Sequence, residues 1–407
     1  MTRELAATGD TSLLDYHLAA MQEVGAPPLL TGNSVELLID GPRTYGAMFA
    51  AIESARHYIL VESFIFEEAV EGHRRLSTLL TEAARRGVRI HVLYDAVGSL
   101  TTKKDFLSSL ADAGIALCVF NPLNPLDDRF SGVNQRDHRK IVVIDGVVAF
   151  AGGINFSRAY QLTSKQARRR GFSQQQSLDS AWRDTHIAIR GTGATSLQSL
   201  FAETWRTAEC EGDLGLLRDT PTNAGSTLVQ IVASTPDDDT NEIYVTLLSV
   251  ITYAQKSIDI TMAYFVPDEQ LEKALMDAAR RGVEVRLILP SYSDFSGVFY
   301  AGRAHYDELL EAGVKLYELK NAFLHSKSIV VDGVWSSIGS TNFDWRSFVH
   351  NNEISVCVIG ESFAREMDRA FAADLQDSRE ITLAAWKKRG IRERLKELMW
   401  LPLEYWL

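Results

Sequence analysis

His138 and Lys140 stand two residues apart in the run H-R-K-I-V-V-I-D-G-V-V-A-F-A-G-G-I-N. His325 and Lys327 repeat that spacing in H-S-K-S-I-V-V-D-G-V-W-S-S-I-G-S-T-N. The first run also supplies Asp145, Gly152, Gly153 and Asn155, and the second supplies Asp332, Gly339, Ser340 and Asn342 in the same order. An imidazole can attack phosphorus or carry a proton, and an ammonium can neutralise the charge that grows on phosphate oxygens. A duplicated His-Lys pair therefore points to one site made by two related half-domains, a layout for opening a phosphodiester through a covalent phosphohistidine. Lys140 and Lys327 are the expected cations, and the amides of Asn155 and Asn342 the neutral phosphate donors. One neutral imidazole attacks. The other, protonated, gives its proton to the leaving alkoxide and then activates the incoming alcohol or water. Two histidines in opposite protonation states share the site, so they titrate as a pair.

The spacing says how such groups are held. Two residues apart in an Ile/Val-rich run, each His and Lys project from one face of a strand. Asp145 and Asp332 lie an odd number of residues further on and precede Gly146 and Gly333, the Asp-Gly signal of a hairpin turn. They complete the motif, yet as turn residues they read as scaffold. A tight two-residue hairpin would set His138 opposite Gly153 and His325 opposite Ser340, small residues that leave room for a phosphate. Catalytic imidazoles are commonly oriented by a further acid. Asp184, in W-R-D-T-H-I-A-I, is assigned to His138, and Glu353, in N-N-E-I-S-V, to His325. The polar stretch from Thr163 to Ser177 reads as a loop specific to the first half, and it weakens the Asp184 assignment.

The elements around the motifs repeat as well. Pro42 to His57 reads as a helix and Tyr58 to Phe66 as a strand, followed by a helix ending at A-R-R-G-V (Gly87) and a strand from Arg89 to Tyr94. The second half gives helix Asn241 to Gln255, strand Ser257 to Phe265, a helix ending at A-R-R-G-V again (Gly282), and strand Glu284 to Leu289. A third helix in each half ends at Gly114 and Gly313. Strands alternating with helices predict α/β domains with a largely parallel sheet, closed by the antiparallel motif hairpin. Residues 1–212 form the first half, 213–226 the linker and 227–407 the second half.

The two H-x-K-x4-D-x6-G-[GS]-x-N blocks resemble the signature of the phospholipase D superfamily. F-N-P-L-N-P, R-D-H-R-K-I-V-V-I-D-G, W-R-D-T-H, M-A-Y-F-V-P, G-S-T-N-F-D-W-R-S-F and the terminal E-Y-W-L resemble bacterial cardiolipin synthases, particularly the short form without an amino-terminal membrane anchor. The likeness runs from about residue 33 to the end. It implies two tandem phospholipase D-like α/β/α sandwich domains packed pseudo-symmetrically around one shared active site. It further implies that His138 is the nucleophile and His325 the general acid/base, a choice the residues alone leave open. The expected reaction transfers a phosphatidyl group between two phosphatidylglycerol molecules, giving cardiolipin and glycerol. A lipid hydrolase is the nearest alternative, followed by a nuclease-like phosphodiesterase and a non-catalytic lipid-binding protein.

Composition narrows these. The 407 residues carry a net charge of -11, which argues against a general nucleic-acid binder. No amino-terminal stretch resembles a signal peptide or spanning helix, so a cytoplasmic protein on the inner face of the membrane is expected, with peripheral contact only. Cys118, Cys210 and Cys357 are too few and scattered for a disulfide framework or a zinc site, and Cys118 and Cys357 read as core residues. His57 and His73 read as surface residues, and His91 as a strand residue. None has metal-ligand spacing, so neither a catalytic metal nor another cofactor is expected. Arg168, Arg169 and Arg170 read as a solvated loop rather than a headgroup site. From Trp386 to Leu407, basic residues (Lys387, Lys388, Arg389, Arg392) alternate with Trp386, Leu395, Leu398, Trp400, Tyr405 and Trp406. That pattern fits either an interfacial helix on anionic lipid or a segment docked on the protein itself.

Overall fold

A computed structural model describes residues 11–127, 129–130, 133–214, 223–236, 240–320 and 322–406. The strands in the first half are β1 (Leu30–Ile39), β2 (Tyr58–Ser63), β3 (Arg89–Asp95), β4 (Ala116–Phe120), β5 (Lys140–Ile144), β6 (Val148–Gly152) and β7 (Thr185–Arg190). In the second half they are β8 (Thr227–Ser234), β9 (Ser257–Met262), β10 (Glu284–Pro290), β11 (Lys315–Leu319), β12 (Lys327–Val331), β13 (Trp335–Gly339), β14 (Asn351–Ile359) and β15 (Ser378–Ile381). They join one sheet in the order β15-β11-β10-β9-β12-β13-β14-β8-β1-β7-β6-β5-β2-β3-β4. Outward from the central β8/β1 pair the two sides mirror each other, and only the second half adds an edge strand, β15.

The sheet is less parallel than the helix-strand alternation suggests. Only β2-β3-β4 and β9-β10-β11 run parallel. The motif hairpins, β7 or β14, and the β1/β8 seam are antiparallel. The predicted helices and strands of both halves form at the expected places, with Gly87, Gly282, Gly114 and Gly313 all at positive φ after their helices. β2 and β9 stop at Ser63 and Met262, short of Phe66 and Phe265. There the chain leaves the sheet and bridges instead to Phe156 and Phe343, just beyond the motif asparagines.

Both faces are covered. Helix Thr192–Thr207 and helix Glu361–Gln376 lie over the central strands, where Leu197, Phe201, Phe363 and Met367 share a core with strand residues of both halves. Separate cores fill the outer face of each half. The first described helix, Thr11–Glu23, crosses over: Leu13 and Leu14 are buried in the second half's core, and His17 Nδ1 lies 3.1 Å from Ser249 Oγ. By packing, that helix belongs with the second half rather than with residues 1–212. Most of the expected linker, residues 215–222, lies outside the described residues.

Two other expectations change. Thr163 to Ser177 is no open loop: helices Ser164–Arg169 and Gln174–Ser180 form there, the second started by a Ser173/Gln176 capping box. Arg169 and Arg170 are exposed, as a solvated run should be, while the Arg168 side chain lies outside the described residues. Cys118 and Cys210 are disulfide-bonded, tying β4 to the end of helix Thr192–Thr207, and Cys357 is buried and free. Their separation of 92 residues carried no pairing signal, because only the packing of that helix brings them together.

The hairpin turns explain Asp145 and Asp332. Both adopt left-handed φ (53° and 54°), followed by Gly146 and Gly333 at 66° and 67°. The turns hold three residues between Ile144 and Val148 and between Val331 and Trp335, so the register stands one residue off the tight-hairpin expectation. Asp145 accepts the backbone N–H groups of Arg56, His57 and Tyr58 at 2.8 Å each, pinning the start of β2. Asp332 does the same for Gln255, Lys256 and Ser257 at the start of β9. Both sit at the end of the hairpin opposite to the imidazoles, which is where a turn must place them. Asp145→Ala or Asp332→Ala should lower stability by about 2–4 kcal/mol, since several charge-assisted bonds to backbone donors are lost. Asp145→Asn, which keeps the turn, should lose less. Urea denaturation of the three variants checks this ordering.

Candidate active site

Two short parallel pairings bring the motifs together. Arg136–Asp137, just before His138, pairs with Asn351–Asn352 of β14, and Phe323–Leu324, just before His325, pairs with Trp182–Arg183. Each motif therefore enters the site hydrogen-bonded to the opposite half. His138 N donates to Asn352 O at 3.0 Å, and His325 N to Arg183 O at 2.9 Å. The next residue on each opposing strand is the acid.

The acids consequently pair in the crossed sense. His138 Nδ1 lies 2.9 Å from Glu353 Oε1, and His325 Nδ1 lies 2.7 Å from Asp184 Oδ2. The sequence expectation assigned each acid to the histidine of its own half; the interdomain strand pairing overturns this. Both acids are fully buried. With a carboxylate as partner, each Nδ1 carries the hydrogen and Nε2 keeps its lone pair.

The small residues beside the motifs serve these acids rather than phosphate. A Cβ on Gly153 would stand 2.1 Å from Asp184 Oδ1, so glycine is what lets Asp184 reach across. At the matching place in the second half, Ser340 Oγ donates to Glu353 Oε2, and Asn351 Nδ2 donates to Oε1 at 3.3 Å.

Lys140 and Lys327 are buried, and their ammonium groups donate to the carbonyls of His138 and His325. Burial pulls Lys140 down to about 7 and Lys327 down to about 8, against the favourable charges of Glu353 and Asp184. Burial likewise lowers His138 to about 4, outweighing Glu353, and the two lysines add to the shift. His325 falls well below the ordinary histidine value through burial and then through Lys327, Lys140 and His138. Burial raises Glu353, but His138 and Lys140 overcome it and hold its carboxyl at about 2. For Asp184 burial prevails and its pKa rises. Burial thus disfavours the charged forms of both imidazoles and both ammonium groups.

Asn155 and Asn342 are buried at the hairpin exits. Ile65 N donates to Asn155 Oδ1 at 3.0 Å, which fixes that amide and leaves its NH2 group as the donor end. Aromatic rings wall the site: Phe64 meets His138 edge-on with centroids 5.0 Å apart, and Trp182 lies 4.7 Å from the His325 ring.

Several contributors had no sequence signal. Tyr160 OH donates to Asp184 Oδ2 at 3.2 Å and lies 3.1 Å from His325 Nδ1. Arg139, between the motif His and Lys, points the other way and is fully buried. It donates to Glu353 O at 3.0 Å, Ser234 O at 2.9 Å and Thr204 Oγ1 at 3.0 Å. Its alternation with His138 and Lys140 was the one available clue. Behind it, Glu62 and Asp137 are buried neighbours whose pKa values burial drives up, Asp137 to about 7, so the pair retains a proton. Arg183 binds Asp374 with Nε and Nη2 at 2.8 and 2.6 Å, anchoring the Asp184 strand to helix Glu361–Gln376. His91 packs edge-on against Trp205, and His57 and His73 are exposed.

Comparison with known proteins agrees with this architecture. The family model described as "Cardiolipin synthase, PLD-like domain" matches residues 48–165 and 247–375, one segment around each motif. The cardiolipin synthase of Geobacillus sp. (strain WCH70) is 36% identical over 383 residues, covering 93% of this chain and 74% of that protein. Cardiolipin synthase A of Pseudomonas putida (strain W619) is 38% identical over 379 residues, covering 93% and 76%. Among solved structures, phosphatidylserine synthase from Haemophilus influenzae Rd KW20 superposes with a TM-score of 0.65 at 13% identity. It covers 95% of this chain and 99% of that one, a likeness of fold. Two family-model segments on the two motif halves, with relatives above 30% identity along nearly the whole chain, place the protein in the phospholipase D-like cardiolipin synthase family.

Proposed function

We propose that the chain is a phosphatidyltransferase that makes cardiolipin from two phosphatidylglycerol molecules. The observation that carries this reading is the facing pair of histidines, each with Nδ1 on a buried acid of the other half and each beside a buried lysine. His138 is the nucleophile. Its Nε2 lone pair attacks phosphorus, the P–O bond to the headgroup glycerol breaks, and His325 gives its Nε2 proton to the departing alkoxide. The phosphatidyl group then rests on His138. His325, now neutral, takes the proton of a hydroxyl on the second phosphatidylglycerol, whose oxygen attacks phosphorus and breaks the P–N bond. Lys140, Lys327, Asn155 and Asn342 neutralise and hold the non-bridging oxygens.

The electrostatics favour this division of labour. Glu353 is anionic and firmly held by Ser340 and Asn351, a suitable support for the imidazolium-like charge that His138 acquires as it bonds to phosphorus. His325, whose protonated form burial and the two lysines disfavour, gains its proton when an anionic phosphodiester offsets those lysines. The hydrolytic reading differs only in the acceptor, and the same residues would serve it.

Three outcomes follow. His138→Ala should abolish the acid-labile, alkali-stable phosphoenzyme expected when turnover of phosphorus-labelled phosphatidylglycerol is stopped with denaturant at alkaline pH, whereas His325→Ala should let it form slowly and persist. Because the acids cross over, Glu353→Gln should resemble the first variant by slowing attack, and Asp184→Asn the second by slowing resolution. The reverse correspondence would restore the same-half pairing. Next, kcat/KM on a short-chain soluble diester should fall on the acid side near about 4 as His138 becomes protonated. On the alkaline side it should fall first as His325, held well below the ordinary histidine value, loses the proton the leaving group needs, and more steeply through about 7 to 8 as Lys140 and Lys327 lose theirs. Lys140→Arg, which stays charged, should remove the step near about 7 at a reduced rate. Finally, turnover of that soluble diester should survive extensive chelation, since the two lysines already carry the charge neutralisation; loss restored by one divalent ion would contradict the mechanism.

A further inference from the structure

The carboxyl-terminal helix Ile391–Trp400 is inverted relative to an ordinary surface helix. Its protein-facing side carries Glu397, buried and bound to Arg389 Nε at 2.9 Å, and Trp400, packed beside Val266, Val298 and Ala301. Its outward side carries Ile391, Leu395, Leu398 and Met399, exposed by 75%, 63%, 72% and 59%. At 100° per residue these four fall within one stripe about 100° wide. The expected interfacial segment therefore splits: Trp386 is buried under Arg389, while the leucines face outward. Next comes Tyr405, which packs at a tilt against Trp345 and edge-on against His350, on the segment that follows Asn342. The stripe thus adjoins the rim of the active site.

Other exposed apolar side chains gather at that rim. β2, β3 and β4 run parallel, as do β9, β10 and β11, and their carboxyl ends share an edge with the start of β5 and of β12, where the motif histidines enter. Leu100 (70% exposed) follows β3. Leu126 (90%) and Val133 (63%) follow β4, and Phe295 (47%) follows β10. Away from this edge, Tyr16 and Tyr253 merely stack on each other and Val147 lies on a hairpin turn. The chain as a whole is acidic, yet from Trp386 to Leu398 six basic residues face two acidic ones. Lys388 and Arg392 are exposed beside the stripe.

From this distribution we infer that the catalytic edge docks on an anionic bilayer, with the stripe of Ile391, Leu395, Leu398 and Met399 and the loop tips Leu126 and Val133 entering the interface on either side of the active site. The inference rests on the lipid reading above and adds how the enzyme meets its substrate. A lipid surface suits a ring of separate apolar tips bordered by cations, since it conforms to all of them at once and supplies negative charge. It also presents headgroup phosphates at the edge where the motif histidines enter.

The test uses the full chain and two variants that touch no group of the site, Leu395→Ser/Leu398→Ser/Met399→Ser and Leu126→Ser/Val133→Ser. Sedimentation with phosphatidylglycerol vesicles should show binding weakened about tenfold or more by the triple variant, and less by the double one. Neutral phosphatidylcholine vesicles should bind the unaltered protein more weakly, and added salt should remove that difference alone. Turnover of a short-chain diester below its aggregation concentration should stay within about twofold in both variants, while turnover on vesicles falls with binding. Unchanged vesicle binding in the triple variant overturns the inference. So does a dimer of the unaltered protein, seen by light scattering, that the triple variant dissolves without loss of vesicle binding. A protein that binds vesicles as described but turns over no diester keeps the docking surface and refutes the catalytic reading.

Discussion

The site depends on two short strand pairings that cross between the halves, Arg136–Asp137 with Asn351–Asn352 and Phe323–Leu324 with Trp182–Arg183. Each consists of only two residue pairs, yet each sets a histidine against an acid it could not reach within its own half. The buried guanidiniums bind the same joints: Arg139 spans from the first motif to Glu353 O and Ser234 O, and Arg183 spans from the first half to Asp374. A buried arginine of this kind adds little net stability, but it leaves few alternative ways to join the halves. Relative movement of the halves would therefore break both His-acid bonds at once, and the catalytic pair is as rigid as the interface.

The site gathers groups whose charged forms a phosphate anion would favour. Burying two ammonium groups and two imidazoles so close together is unfavourable, as the depressed pKa values of all four report. Glu353 and Asp184 offset both lysines, with help from Asp137 at Lys140 and from Asp344 and Asp294 at Lys327, and Asp184 is itself resisted by burial. On the proposed mechanism a phosphodiester would add a negative charge here, so substrate binding and the protonation of one imidazole would be linked steps. In that arrangement little reorganisation is left for the moment of reaction.

The duplicated motifs, their partners Asn155 and Asn342, the two acids and the mirrored element order were all legible in the sequence, because they depend on short spacings and on repetition. The turn role of Asp145 and Asp332 was legible too, since Asp-Gly between apolar runs has a local meaning. What failed was everything decided between distant elements. Chain proximity suggested that Asp184 serves His138, and only the crossed strands reverse it. The hairpin register was off by one because a third residue in the turn leaves no mark on the apolar pattern. Cys118 and Cys210 meet through the packing of a helix, and Tyr160 reaches Asp184 from a turn with no motif at all.

The same crossing explains how a symmetric scaffold yields two unlike histidines. The halves match in element order and strand pairing, so any difference must come from the one motif position where they differ, Gly153 against Ser340, and from residues outside the repeat. Glu353, the longer acid, meets a serine hydroxyl and an asparagine amide and is held as an anion. Asp184, the shorter acid, needs Gly153 to admit it and finds a tyrosine hydroxyl that also touches His325. One imidazole thus rests on a firm anion and the other on an acid with a raised pKa inside an aromatic cage of Tyr160, Trp182 and Phe323. The first environment favours bond formation to phosphorus, and the second favours handing a proton back and forth. On the proposed mechanism the division of roles between the two histidines follows from four positions around them, Gly153, Ser340, Asn351 and Tyr160.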